Sequence, residues 1–122
     1  MKPHIYPFQI AYADTDAAGI VYHARFIEIA ERARMSLCAD INDSEGGFIV
    51  RELSVKYMRP VFLNDKIIVE TTFGDIAKIS MIAEQKFVKN GEVCAIMHIK
   101  LVYVNRELKP TRIPDVWLGY RQ

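Results

Sequence analysis

Cysteine is scarce in this chain, two among 122 residues. Neither Cys38 nor Cys94 belongs to a C-x-x-C pair or sits beside a histidine cluster. A disulfide framework and a Cys/His metal site are thereby excluded, and two buried free thiols in a reducing compartment are expected. An excess of one charge is also missing. Sixteen Lys and Arg stand against fifteen Asp and Glu, for a net charge of +1. That balance argues against a general nucleic-acid binder, which carries a strong basic excess or a basic face, but allows a local basic patch for a phosphorylated ligand. No apolar run approaches the ~20 residues of a membrane span, and the opening MKPHIYPFQI lacks the apolar stretch of a secretory signal. The expected location is the cytoplasm. Repeats, low-complexity runs and interdomain linkers are absent as well, so residues 1–122 are expected to form one domain. What is present suits a packed core: 51% hydrophobic and 11% aromatic residues, with 25% charged, the proportion of an ordinary globular protein.

Residues 5–12 read as a first strand, with Pro7 pointing to a sheet edge or a late start. The polar, small-residue turn DTDAAG follows. From 22 to 41 the apolar period becomes helical, with Phe26, Ala30, Ala33, Leu37 and Ile41 in one stripe that Ala24, Ile27 and Cys38 widen. Glu28 and Arg32 lie four apart on the opposite side, as a surface ion pair. The small alanines imply that something packs very close to this helix. Residues 42–47 are a loop by composition. Beyond it the period is two: 48–59, ended by Pro60, then 66–73, 77–89 and 92–104. Leu63-Asn64-Asp65 and Gly74-Asp75 mark turns, and Asn90-Gly91 is a strong two-residue hairpin signal. The segment KPTRIP and a short tail with Trp117, read as a final helical turn, close the chain. One long helix and about five mostly antiparallel strands make an α+β fold, and only the sheet is large enough to cover the helix.

The stretch from Gln9 to Phe26 holds the chemistry. It places a carboxylate and a flexible glycine just ahead of a helix start, where free backbone N–H groups and a partial positive charge are presented. A carbonyl oxygen held there is stabilised as it becomes an oxyanion. A neighbouring carboxylate can attack the carbonyl or activate a water. The pairing suits acyl transfer. The same residues also suit plain structural duty: Asp14, Thr15 and Asp16 as turn and N-cap residues, His23 as a helix-start histidine, Tyr12 as a packed strand aromatic. His98 reads as structural in mid-strand. Cys38 lies about four turns from the helix start, too far to act there.

Along this stretch the chain carries Tyr12, Asp14, Thr15, Asp16, Gly19, Ile20, Val21, Tyr22, His23 and Ala24, then Glu31-Arg32-Ala33-Arg34. These resemble the signature Y-x-D-T-D-x-x-G-[IV]-V-Y-H-A, followed by E-R-A-R on a helix. That signature belongs to the 4-hydroxybenzoyl-CoA thioesterase family, in its subgroup of bacterial acyl-CoA thioesterases associated with the Tol–Pal gene cluster. The resemblance continues through Val55-Lys56-Tyr57-Met58-Arg59-Pro60, Asn64-Asp65 and Lys109-Pro110-Thr111-Arg112-Ile113-Pro114. Loop 40–47 is shorter than in some members, which bears on the rim of the acyl pocket.

The resemblance implies a hot-dog fold, a sheet wrapped around the long helix, with subunits paired into a continuous sheet as a homodimer or homotetramer and active sites at that interface. It implies hydrolysis of acyl-CoA, with Asp16 as nucleophile or general base and Tyr12 and His23 also catalytic. Gly19 and the His23 backbone N–H are implied at the oxyanion position, Gly19 permitting close backbone approach. Arg59, Lys78, Lys109 and Arg112 are candidates for the CoA phosphates, with solvated surface charge as the plain alternative for each. No metal or other cofactor is expected, CoA being part of the substrate. Two other functions remain open at this point: hydrolysis on acyl carrier protein, and a non-catalytic acyl- or CoA-binding module, since fold does not fix function.

Overall fold

More and less buried residues alternate along three of the five strands, as a pleated backbone requires. The computed structural model describes residues 3–41 and 43–120, so the loop expectation for Asn42 lies outside the described residues. The strands are β1 (His4–Gln9), β2 (Gly46–Tyr57), β3 (Lys66–Gly74), β4 (Ser80–Lys89) and β5 (Glu92–Asn105). They form one antiparallel sheet in the order β1-β3-β4-β5-β2. Asn90 and Gly91 both adopt positive φ, 50° and 79°, the geometry of a two-residue turn that matches strand twist. Pro7 lies in the edge strand β1, opposite Ile68, where a missing N–H can face away from the ladder.

A single long helix, α1 (Arg25–Cys38), packs its Phe26, Ile29, Ala30, Ala33 and Leu37 into the core. From the sheet, Val69, Phe73, Met81, Ala83, Phe87, Met97, Ile99 and Tyr103 meet it. Ala30 and Ala33 lose all their exposed surface, which is the close approach that their small side chains foretold. The Gln85 Nε2 donates from β4 to the Ala30 carbonyl at 2.9 Å and to Thr71 Oγ1 at 3.0 Å, while Arg34 Nη1 donates to Gln85 Oε1 at 2.9 Å. The Glu28–Arg32 pair forms at 3.0 Å.

Several expected boundaries move. The helix is fourteen residues long, 25–38 rather than 22–41. Tyr22 to Ala24 make a turn closed by the Arg25 N–H on the Tyr22 carbonyl at 2.8 Å. Val21 and Ile41 remain buried beyond the helix ends, so apolar spacing, which reports burial, overstates the helical backbone. Ala24, Ile27 and Cys38 are exposed and do not widen the stripe; Ile29 does. Cys38 is therefore not a buried thiol, whereas Cys94 is. β1 stops at Gln9 because Tyr12–Asp14 coils into a 3-10 turn. β2 takes in Gly46 and Gly47, expected in the loop. A Cβ on Gly46 would lie 1.9 Å from the Val104 carbonyl oxygen, so only glycine lets β2 start against β5 there. β4 begins at Ser80 rather than at 77. His98 faces outward and meets Glu84 at 3.0 Å, a surface pair.

Candidate active site

The D-T-D stretch leads into a tight hairpin. Thr15 bridges Val21, the Asp16 N–H donates to the Ile20 carbonyl at 2.9 Å, and the Gly19 N–H donates to the Asp16 carbonyl at 3.0 Å. Gly19 adopts φ 79°, the left-handed conformation that this three-residue loop asks of its last residue. A Cβ there would meet nothing within 4 Å. The glycine is thus required by its backbone angle, whatever the space around it. The Ala18 N–H donates to Asp16 Oδ1 at 2.8 Å, which orients the carboxylate and leaves Oδ2 without a partner among the described residues.

Two contacts hold this hairpin. On one side it lies along the segment after β2: the Val21 N–H donates to the Val61 carbonyl at 2.8 Å and the Leu63 N–H to the Gly19 carbonyl at 3.2 Å. On the other, Asp14 is 7% exposed. Its carboxylate accepts from the Ala11 N–H at 2.8 Å and stands 3.5 Å from Arg25 Nε, and Arg25 Nη2 donates to the Ala13 carbonyl at 2.6 Å. The two aspartates of D-T-D therefore part company: Asp14 ties the loop to the first residue of α1, and Asp16 is left at the surface.

Asp16 faces a groove of about 390 Å³, within the size range of small-molecule sites. His23 and Arg59 line it with Asp16, and Val21, Phe26, Tyr57 and Val61 supply apolar walls. The groove opens beside the turn that precedes α1. Among the described residues, the N–H groups of His23 and Ala24 have no acceptor, and they lie at the positive end of the helix dipole. Tyr57 Oη donates to the His23 carbonyl at 2.6 Å, and its ring meets Phe26 edge-on at 5.4 Å. The arrangement presents a carboxylate, an imidazole and unpaired amide donors around one apolar-walled slot, the parts needed to polarise a carbonyl and deliver a nucleophile to it.

Residues 10–119 match the family model of the thioesterase-like superfamily. The chain belongs to that superfamily. It is 29% identical over 118 residues to the acyl-CoA thioesterase YbgC of Haemophilus influenzae, covering 89% of this chain and 87% of the relative. It is 29% identical over 119 residues to the acyl-CoA thioester hydrolase YbgC of Escherichia coli, covering 89% of this chain and 88% of the relative. Among solved structures, a gentisyl-coenzyme A thioesterase superposes with a TM-score of 0.80 at 28% identity, over 92% of this chain and 97% of that one. The five-stranded antiparallel sheet on one helix is the hot-dog fold of the thioesterase-like superfamily.

Within this thioesterase-like chain the other expected site residues scatter. Tyr12 is 82% exposed on the 3-10 turn and does not line the groove. Arg59 does, but pairs with Glu92 at 3.0 Å. Lys78, Lys109 and Arg112 gather elsewhere: the Asn105 N–H donates to the Lys109 carbonyl, the Thr111 N–H to Tyr103 and the Ile113 N–H to Lys78. That is the far end of β5, nine residues from Cys94, whose carbonyl takes the Arg59 N–H, or about 30 Å along a strand. One chain therefore does not assemble the four cations into a single phosphate site. Phe48 lines a different cavity of about 450 Å³ with Arg34, Cys38 and Trp117, toward the other end of α1. Desolvation raises the Cys38 thiol above its ordinary value, which makes it a weak nucleophile. Among the described residues no three His, Cys, Asp or Glu side chains converge as a metal site, and no helix is long and apolar enough to cross a membrane. Sequence reasoning missed the Asp14–Arg25 tie and the Met58–Val61 wall. Nothing in periodicity marks either, because each joins segments that meet only once the chain has folded.

Proposed function

We propose that this thioesterase-like protein hydrolyses acyl-CoA thioesters to a carboxylic acid and CoA, as a member of the Tol–Pal-associated subgroup of the 4-hydroxybenzoyl-CoA thioesterase family. The observation that carries the reading is the Asp16 carboxylate beside His23 on the wall of one groove, with Asp16 Oδ2 and the His23 N–H unpaired among the described residues. The thioester carbonyl oxygen is received by the His23 N–H, with Gly19 shaping the loop that aims the carboxylate. Asp16 then either attacks the carbonyl carbon, expelling CoA thiolate and leaving an acyl-aspartyl anhydride for water to open, or takes a proton from a water that attacks directly. His23 positions substrate or water. Tyr12 receives no role from the groove of one chain. The chemistry calls for no metal or other cofactor.

The oligomeric part of the reading rests on β2. It is an edge strand of twelve residues with exposed Ile49, Val50, Tyr57 and Met58 at or beside it, and such an edge invites pairing. Two copies joined antiparallel through β2 would set the Lys78–Lys109–Arg112 end of one beside the Asp16 groove of the other, completing a cradle for CoA phosphates with Arg59. A dimer, or a tetramer of two such dimers, follows. Free thiols and a CoA substrate suit a reducing compartment, and we assign the protein to the cytoplasm.

The test is release of free thiol from a panel of acyl-CoAs of different chain length, with the same acyl groups on acyl carrier protein to decide the carrier. Asp16→Asn should lower kcat by about 10²–10⁴-fold with the fold intact by circular dichroism. Unchanged turnover in Asp16→Asn and Asp16→Ala would remove the catalytic assignment. In a single turnover in ¹⁸O-labelled water, a product acid free of label, with the label on Asp16, identifies the anhydride route with water opening the anhydride at the aspartyl carbon.

A further inference from the structure

We infer that Tyr57 is a positioning residue for this reaction: from the edge strand it holds the turn that carries the His23 oxyanion donor. The inference rests on the function proposed above. His23 lines the groove, and the peptide group on each side of it is gripped by its carbonyl. The Tyr22 carbonyl accepts from the Arg25 N–H at 2.8 Å. The His23 carbonyl accepts from Tyr57 Oη at 2.6 Å, across thirty-four positions of sequence. A trans peptide is planar with its C=O and N–H opposed. Fixing the Tyr22 carbonyl therefore aims the His23 N–H, and fixing the His23 carbonyl holds the other flank of the same residue. The first grip comes from the helix itself. The second comes from the sheet alone, because no other group among the described residues donates to the His23 carbonyl.

The phenol is well placed for this duty. Its ring rests edge-on against Phe26 at 5.4 Å, and Phe26 rests in turn on Phe87 at 5.0 Å, so the hydroxyl is held from the core. Desolvation pushes the phenol above its ordinary value, which favours the protonated, donating form. Tyr57 touches no reacting atom in this scheme and acts only through the turn.

Tyr57→Phe removes the hydroxyl and keeps the ring. Wild type, Tyr57→Phe and Asp16→Asn are compared on one acyl-CoA that the wild type turns over, each at least 15 °C below its own melting temperature so that all are fully folded. The expected result for Tyr57→Phe is kcat reduced about tenfold, or about 1.4 kcal/mol, with KM and the Kd of a non-hydrolysable thioether analogue within about twofold. A kcat within twofold of wild type, or a loss confined to KM and analogue affinity, overturns the positioning role while Asp16→Asn still reports on the reaction. Absence of thioester turnover by the wild type defeats the functional proposal itself, and the role of Tyr57 falls with it.

Discussion

Replacing Gln85 with leucine tests how the sheet is fastened to α1. Gln85 has no exposed surface, and its amide is fully used: Nε2 donates to the Ala30 carbonyl and to Thr71 Oγ1, and Oε1 accepts from Arg34. Leucine fills nearly the same volume, so the cost falls on stranded polar groups rather than on a void. Thr71, itself 1% exposed, loses the donor to its hydroxyl oxygen, and a buried group left so costs about 1–3 kcal/mol. The Ala30 carbonyl keeps its place in the helix, and the half-buried Arg34 turns toward water. The expected loss for Gln85→Leu is about 2 kcal/mol, or about 8 °C in a chain of this length. Gln85→Ala adds an unfilled volume and should lose about 3–4 kcal/mol. The decisive variant is the double one. Converting both partners to apolar groups is nearly neutral, so Gln85→Leu with Thr71→Val should be about 1 kcal/mol more stable than the sum of the single losses. Urea and thermal melts followed by far-ultraviolet circular dichroism, at one fixed protein concentration, measure these variants and the Thr71→Val single. A neutral Gln85→Leu, or strict additivity in the double variant, would refute the bridge.

Gly19→Ala places a side chain at φ 79° with free space around it, so strain is the whole effect. Stability should fall by about 1–2 kcal/mol and kcat with it as Asp16 loses its aim, with Gly19→Asn milder on both; equal melting and turnover for alanine and glycine would contradict this. At the other end of the sheet, burial pushes the Asp43 carboxyl up, but hydrogen bonds from Trp117, Tyr103 and the backbone amides of Glu45 and Gly46 outweigh it and leave it below the ordinary value. A depressed folded-state value contributes stability above the unfolded carboxyl value near ~3.9 and loses it as pH falls through the folded one. Acid unfolding below about pH 4 should therefore be accompanied by a change in Trp117 fluorescence, since its Nε1 donates to Asp43 at 2.8 Å. Asp43→Asn should remove that acid dependence and cost about 2 kcal/mol at neutral pH; a variant with the wild-type acid profile would show that Asp43 is not its source.

The parts of this protein that sequence made legible are those where neighbours along the chain decide the outcome. Period-two runs marked β2 to β5 because alternation alone sorts residues onto the two faces of a pleated strand, and Asn90-Gly91 marked its hairpin because only such residues take positive φ at little cost. Phe26, Ala30, Ala33 and Leu37 marked one face of α1. Asp16 and His23, which line one groove, could be picked out together because the turn between them is local. The helix ends were not, because burial of Val21 and Ile41 continues the apolar pattern after helical hydrogen bonding has stopped.

Tertiary structure decided everything that depends on segments far apart. It separated Asp14 from Asp16, giving one to Arg25 and the other to the groove, though side by side in sequence they look alike. It turned Gln85 inward as a polar tie, brought Tyr57 to the His23 carbonyl, and carried Lys78, Lys109 and Arg112 to the opposite end of β5 from Arg59. Backbone torsions and side-chain alternation are set by adjacent residues, so order along the chain determines the elements. Which carboxylate is buried, and which donor meets which carbonyl, depends on the packing of the sheet against the helix, and no local pattern encodes it.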